Sequence, residues 1–129
     1  VRTDFSESTS FFIPARVTVA TKDGDAIERE FLRHARKWRR DTKHLSSPVD
    51  RYLHPSYARI IAITAAAGQA GLRVMLTDLQ AHQNDWFYAL RSITGQNPVT
   101  SSMAGDVPRM IQAWIKWGQE RGVIDGAAA

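Results

Sequence analysis

The chain has no cysteine among its 129 residues, which excludes disulfides, thiolate metal sites and cysteine nucleophiles. That absence leaves the redox compartment open, and a cytoplasmic location is the default expectation. Long apolar runs are also missing. Nothing approaches the roughly 18 consecutive apolar residues of a membrane span, so no membrane association is expected. Val1-Arg2-Thr3-Asp4 lacks the basic-then-apolar order of a signal peptide. Five prolines and eight glycines are few enough to leave long stretches open to regular structure.

What is present is an ordinary globular balance, 43% hydrophobic and 23% charged, in a length that suits one domain with its own core. The net charge of +4 is local in origin. Between Glu28 and Lys43 lie seven basic residues: Arg29, Arg33, Arg36, Lys37, Arg39, Arg40 and Lys43. Three acidic residues, Glu28, Glu30 and Asp41, accompany them. Removing these from the chain totals of 17 basic and 13 acidic residues leaves ten of each. The whole excess therefore sits in one segment, which attracts phosphate or an acidic protein surface, or else forms a solvated helix face.

Residues 1–22 read as an extended arm. The first ten are polar and rich in Ser and Thr. Phe11-Phe12-Ile13-Pro14 and Val17-Thr18-Val19-Ala20-Thr21 are aromatic and β-branched enough for an extended segment, with Pro14 confining any strand to an edge. Lys22-Asp23-Gly24-Asp25 reads as a turn. With no second strand in sight, the arm is expected to lie on the domain, on a partner or on a second copy. Phe11, Phe12 and Ile13 are its candidate contacts.

From there to residue 125 the pattern is helical. Asp25 as N-cap and Glu28 three residues on form a capping box. Ile27, Phe31, Leu32, Ala35 and Trp38 follow as one apolar stripe, so this first helix is amphipathic with a cationic side. Ser47-Pro48 begins a short turn through Tyr52, and His54-Pro55 begins the next helix. Tyr57, Ile60, Ile61 and Thr64 line the second helix, which ends near Gly68. Leu72, Met75, Leu76 and Leu79 line the third. Asn84 or Asp85 caps a fourth carrying Trp86, Phe87, Leu90 and Ile93, stopped by Gly95. After the polar loop 96–105, Asp106 caps a fifth whose Val107, Met110, Ile111, Trp114 and Ile115 recur at three and four. Gly126-Ala127-Ala128-Ala129 is a tail. The expectation is an all-α bundle of about five short helices behind an extended N-terminal arm.

The segment Gln69–Leu79 followed by Trp86 to Thr94-Gly95 resembles one helix pair of a HEAT-type repeat, with Phe87, Ala89, Leu90 and Ile93 on the aromatic-Ala-Leu-x-x-Ile stripe of its second helix. His54-Pro55, Trp86-Phe87-Tyr88-Ala89-Leu90, Thr94-Gly95-Gln96-Asn97-Pro98 and Trp114-x-x-Trp117-Gly118 are, together with His44-Leu45-Ser46-Ser47, similar to small bacterial proteins that carry no assigned activity. Only one pair is found, where arrays need about three repeats, so a compact bundle is expected rather than a solenoid. The resemblance implies a binding scaffold and brings no catalytic residue with it.

Chemical motifs are sparse. His34, His44, His54 and His82 include no i,i+4 pair and no metal-ligand spacing. His54 reads as a cap beside Pro55. Ser46 and Ser47 lie near His44 without a nucleophile elbow and read as caps. Gly68-Gln69-Ala70-Gly71 has no following Lys-Ser/Thr and reads as a turn between helices rather than a phosphate loop. Gly68 joins two helices, yet Gly71–Gln80 carries only Arg73 to read base edges, so it is no helix-turn-helix. No cofactor and no enzymatic activity are expected.

Two function classes follow. The first is a non-catalytic interaction protein, an accessory or antitoxin-like subunit binding a protein partner. The second is a DNA- or RNA-binding protein. Both use Arg29, Arg33, Arg36, Lys37, Arg40 and Lys43, at steps that place several on one side of a helix. Trp38 and Tyr52 are the candidate base-stacking residues, although Trp38 falls on the apolar stripe. Trp117, beside Lys116 and Arg121, reads either as core or as a partner anchor.

Overall fold

Helix α1 begins well before its apparent capping box: in the computed structural model, which describes residues 17–125, it runs Val17–Thr42. The expected extended segment at 17–21 and the turn at 22–25 are therefore both helical, and Asp25 and Glu28 are interior rather than capping. A single Gly24 in a helix costs about 1 kcal/mol and β-branched residues a few tenths, penalties small enough for the helix to continue through them. Phe11, Phe12 and Ile13, with the rest of residues 1–16 and the tail 126–129, lie outside the described residues.

Five further α-helices follow: α2 (Pro48–Tyr52), α3 (Pro55–Ala67), α4 (Gln69–His82), α5 (Phe87–Thr94) and α6 (Val107–Glu120). A 3₁₀ turn at Ser101–Met103 breaks the loop before α6. No strand occurs among the described residues, and the fold is all-α. The count exceeds the expected five because the turn after Ser47 closes into the short helix α2.

Several boundaries sit where the sequence places them. Pro48, Pro55 and Pro108 occupy first-turn positions, where a missing N–H is harmless. His54 caps α3 by accepting from the Ser56 N–H at 3.0 Å, and Asp106 caps α6 by accepting from Arg109 N at 3.3 Å. Gly68 and Gly95 end α3 and α5 at φ of 62° and 69°, conformations that favour glycine. Ser47 occupies the cap position of α2 but makes no side-chain cap bond. Asp85 supplies a capping bond one residue ahead of the formal N-cap of α5, its Oδ1 accepting from the Phe87 N–H at 3.4 Å, whereas Asn84 does not cap it. Trp86 holds the N-cap position, and the Asn84 amide turns inward to Asp78 instead.

Helices α1, α3 and α4 pack on one another, α5 packs mainly on α3, and α6 on α4. One apolar cluster joins them all. Its α1 face is Phe31, Ala35 and Trp38, and its α4 face is Leu72, Met75, Leu76 and Leu79, as the stripes require. Val107 departs from its stripe: at the first position of α6, beyond the edge of the core, it is largely exposed.

Trp86 sits at the centre of an aromatic group. Its ring lies 5.0 Å from Trp38, 5.4 Å from Phe31 in an edge-on arrangement and 5.6 Å from Tyr57. The polar ends of these side chains are satisfied by the segments they hold down. Trp38 Nε1 donates to the Arg51 carbonyl at 2.8 Å, fixing α2 against α1. Tyr57 Oη donates to the Asp85 carbonyl at 3.0 Å and accepts from the Ala89 N–H at 3.1 Å, fixing the start of α5. Burial pushes the Tyr57 phenol well above its ordinary pKa.

Candidate functional site

At about 100° per residue, Arg29, Arg33, Arg36 and Arg40 fall within about 40° of a single line along α1, and Lys43 follows just past its end. Phe31, Ala35, Trp38 and Thr42, all buried, lie on the opposite side. The core thus directs the cations outward, and all five are exposed. At a rise of about 1.5 Å per residue the four arginines span about 17 Å. Lys37 stands about 80° off this line, toward Glu30 and Asp41.

Carboxylates flank the stripe without standing on it. Arg33 pairs with Glu30 at 2.7 Å. Asp41 receives Arg40 at 3.0 Å, Lys37 at 3.2 Å and the His54 imidazole at 3.1 Å. Since His54 Nδ1 accepts from Ser56 N, its proton sits on Nε2 and is donated to Asp41. The hydrogen bonds from Arg40 and Lys37, aided by His54, lower the Asp41 pKa to about 2. Among the described residues, Arg29, Arg36 and Lys43 have no carboxylate within salt-bridge distance.

The aromatic residues do not join this face. Trp38 is 3% exposed and belongs to the core. Tyr52 stacks on Tyr88 at 5.1 Å and donates to Asp85 Oδ2 at 2.7 Å, so its ring and hydroxyl are both occupied. Neither can stack on a base without leaving these contacts. Trp117 is also buried, with the Arg121 guanidinium 4.8 Å above its ring, and is a core residue rather than an exposed anchor.

An exposed apolar pair on α2 is not evident from the sequence pattern. Leu53 is 74% and Val49 62% exposed, one turn apart on α2 and its C-cap. Leu53 adjoins His54, which is bonded to Asp41 at the C-terminal end of the stripe. Their spacing of four is visible in the sequence. A five-residue helix is too short for that spacing to show which side faces water.

Metal-ligating side chains do not converge in groups of three or more among the described residues. No helix of the described residues is long and apolar enough to cross a membrane. No protein-family model matches the chain, and it finds no match among curated proteins or solved structures.

Proposed function

We propose that this chain is a non-catalytic interaction protein that docks on an acidic protein surface through the outer face of α1, as an accessory or antitoxin-like subunit. The observation carrying this reading is the row of exposed arginines on α1 opposite the core, continued by Lys43 just past its end, with Glu30 and Asp41 to one side and no carboxylate between Arg29 and Arg40 on its line. Leu53 and Val49 favour a protein over a nucleic acid. Exposed apolar side chains on the same domain suit a partner that is both acidic and apolar, whereas a phosphate backbone gives them nothing to bury against. A scaffold of this kind also agrees with the HEAT-like resemblance of Gln69–Gly95.

The second reading, nucleic-acid binding, draws on the regular cation spacing. With both candidate stacking rings occupied, it reduces to contact with a duplex phosphate backbone. About five neutralised phosphates would make affinity fall several hundred-fold between 50 and 200 mM salt.

The deciding experiment compares wild type, the Arg33→Glu/Arg36→Glu/Arg40→Glu variant and Leu53→Asp. Each is used as bait in a nuclease-treated bacterial lysate and in gel shifts with duplex DNA and RNA. The protein reading expects a partner of acidic composition held by wild type and lost from both variants. A duplex shift that collapses with salt and is indifferent to Leu53→Asp replaces it with the nucleic-acid reading. Partner retention by the triple variant removes the stripe from either.

A further inference from the structure

Away from the stripe, α2, α5, α6 and the loops flanking α5 enclose a cleft of about 430 Å³. That lies within the roughly 300–1,000 Å³ range of small-molecule sites, toward its lower end. Its lining mixes apolar side chains, Phe87, Val107, Met110 and Trp114, with the charged Arg51, Asp85 and Arg91.

The charges in the lining are unequally used. Asp85 Oδ2 accepts from Tyr52 and lies 3.5 Å from Arg51 Nη2, so Arg51 and Asp85 largely neutralise one another. Arg91 has no carboxylate partner among the described residues. It lines the cleft and is exposed, with its guanidinium 5.9 Å from the Tyr88 ring centroid. Two guanidiniums and one carboxylate leave a single positive charge. That suits a monoanion, because a dianion would meet Asp85 with its second charge. A planar guanidinium also matches a carboxylate in a bidentate arrangement.

The apolar residues supply a second requirement. Val107 is 40% exposed at the cleft rim despite its place on the apolar stripe of α6. Trp114 closes the floor behind Val107 and Met110 as a wholly buried side chain. The cleft therefore combines one guanidinium without a carboxylate partner and an apolar surface.

We propose that this cleft binds a small monocarboxylate with an apolar body, its carboxylate on Arg91 and its body against Phe87, Val107 and Met110. Such a site is independent of the α1 stripe and of whatever macromolecule the stripe meets.

Titration with phenylacetate, phenylacetamide and inorganic phosphate at fixed ionic strength, read by tryptophan fluorescence and calorimetry, tests it. Phenylacetate should saturate one site. The neutral amide should bind about 10–100-fold more weakly, the range of one charge-assisted hydrogen bond. Arg91→Gln should weaken phenylacetate by a similar factor, and Val107→Asp should abolish binding by placing a like charge at the rim. Both positions are exposed, and circular dichroism checks that the variants stay folded. The triple α1 variant should bind phenylacetate as wild type does. Failure to saturate, equal binding of acid and amide, insensitivity to Arg91→Gln, or phosphate competing as well as phenylacetate would each overturn the assignment.

Discussion

The Trp86 indole N–H donates a 2.7 Å hydrogen bond to Asp78 Oδ2, the same oxygen that accepts from the Asn84 amide at 2.6 Å. All three residues are buried, and Asp78 is 4% exposed. One carboxylate oxygen on α4 thereby seats the central tryptophan and shapes the link into α5. Its other oxygen, Oδ1, has no hydrogen bond, and His82 Nε2 lies 4.0 Å from it.

Asp78→Ala leaves two buried donors unsatisfied, each costing about 1–3 kcal/mol, while relieving the burial of a carboxylate. We expect a net loss of about 2–4 kcal/mol, measured by urea denaturation followed through tryptophan fluorescence. Asp78→Asn keeps an acceptor oxygen and should lose clearly less than the alanine variant. An alanine variant within about 0.5 kcal/mol of wild type would make the pair incidental.

This relationship also marks where the sequence stops being legible. Helical spacing puts Phe31, Ala35 and Trp38 on one buried face because the 3.6-residue repeat is local, and His54, Gly68 and Asp106 end or begin helices for equally local reasons. Asn84 has an equally good local reason to cap α5, yet Asp78, on the preceding helix, takes its amide. Asp25 and Glu28 are likewise a sound capping box that the continuous α1 helix overrides. Of the candidate site, the cationic residues were legible from composition and step. The exposure of Leu53 and the convergence of Arg51, Asp85 and Arg91 depend on how α2 and α5 pack, which no periodicity encodes.

Gly71 shows a second packing constraint. It was read as part of an interhelix turn, but it lies inside α4, where a Cβ would overlap the Thr64 carbonyl of α3. The two helices cross backbone to backbone at this point, and Thr64 cannot yield as a flexible side chain would. Gly71→Ala gains about 1 kcal/mol of helix propensity but incurs an overpacking penalty of about 1–3 kcal/mol or more. The variant should therefore have a lower thermal midpoint than wild type. Gly24→Ala, whose Cβ meets nothing within 4 Å, should raise it through propensity alone. Stabilisation by both substitutions would contradict the close crossing.

Asp41 links the stripe to the α2–α3 junction, and its ionisation gives that link a pH signature. Its folded pKa of about 2 lies below the value near 3.9 of an unfolded aspartate. The unfolded chain therefore takes up the Asp41 proton first as pH falls, so acidification favours unfolding. The contribution is complete above about pH 4 and is lost as pH falls through about 2. Other carboxylates titrate in the same window, so the informative quantity is the difference between wild type and Asp41→Asn. Thermal melts should show wild type more stable near neutral pH, with the two curves converging toward pH 2. Because Arg40 and Lys37 are exposed, the neutral-pH difference should also shrink in about 1 M salt, where the screening length is about 3 Å. A difference independent of both pH and salt would assign the effect of Asp41 to packing rather than to its charge.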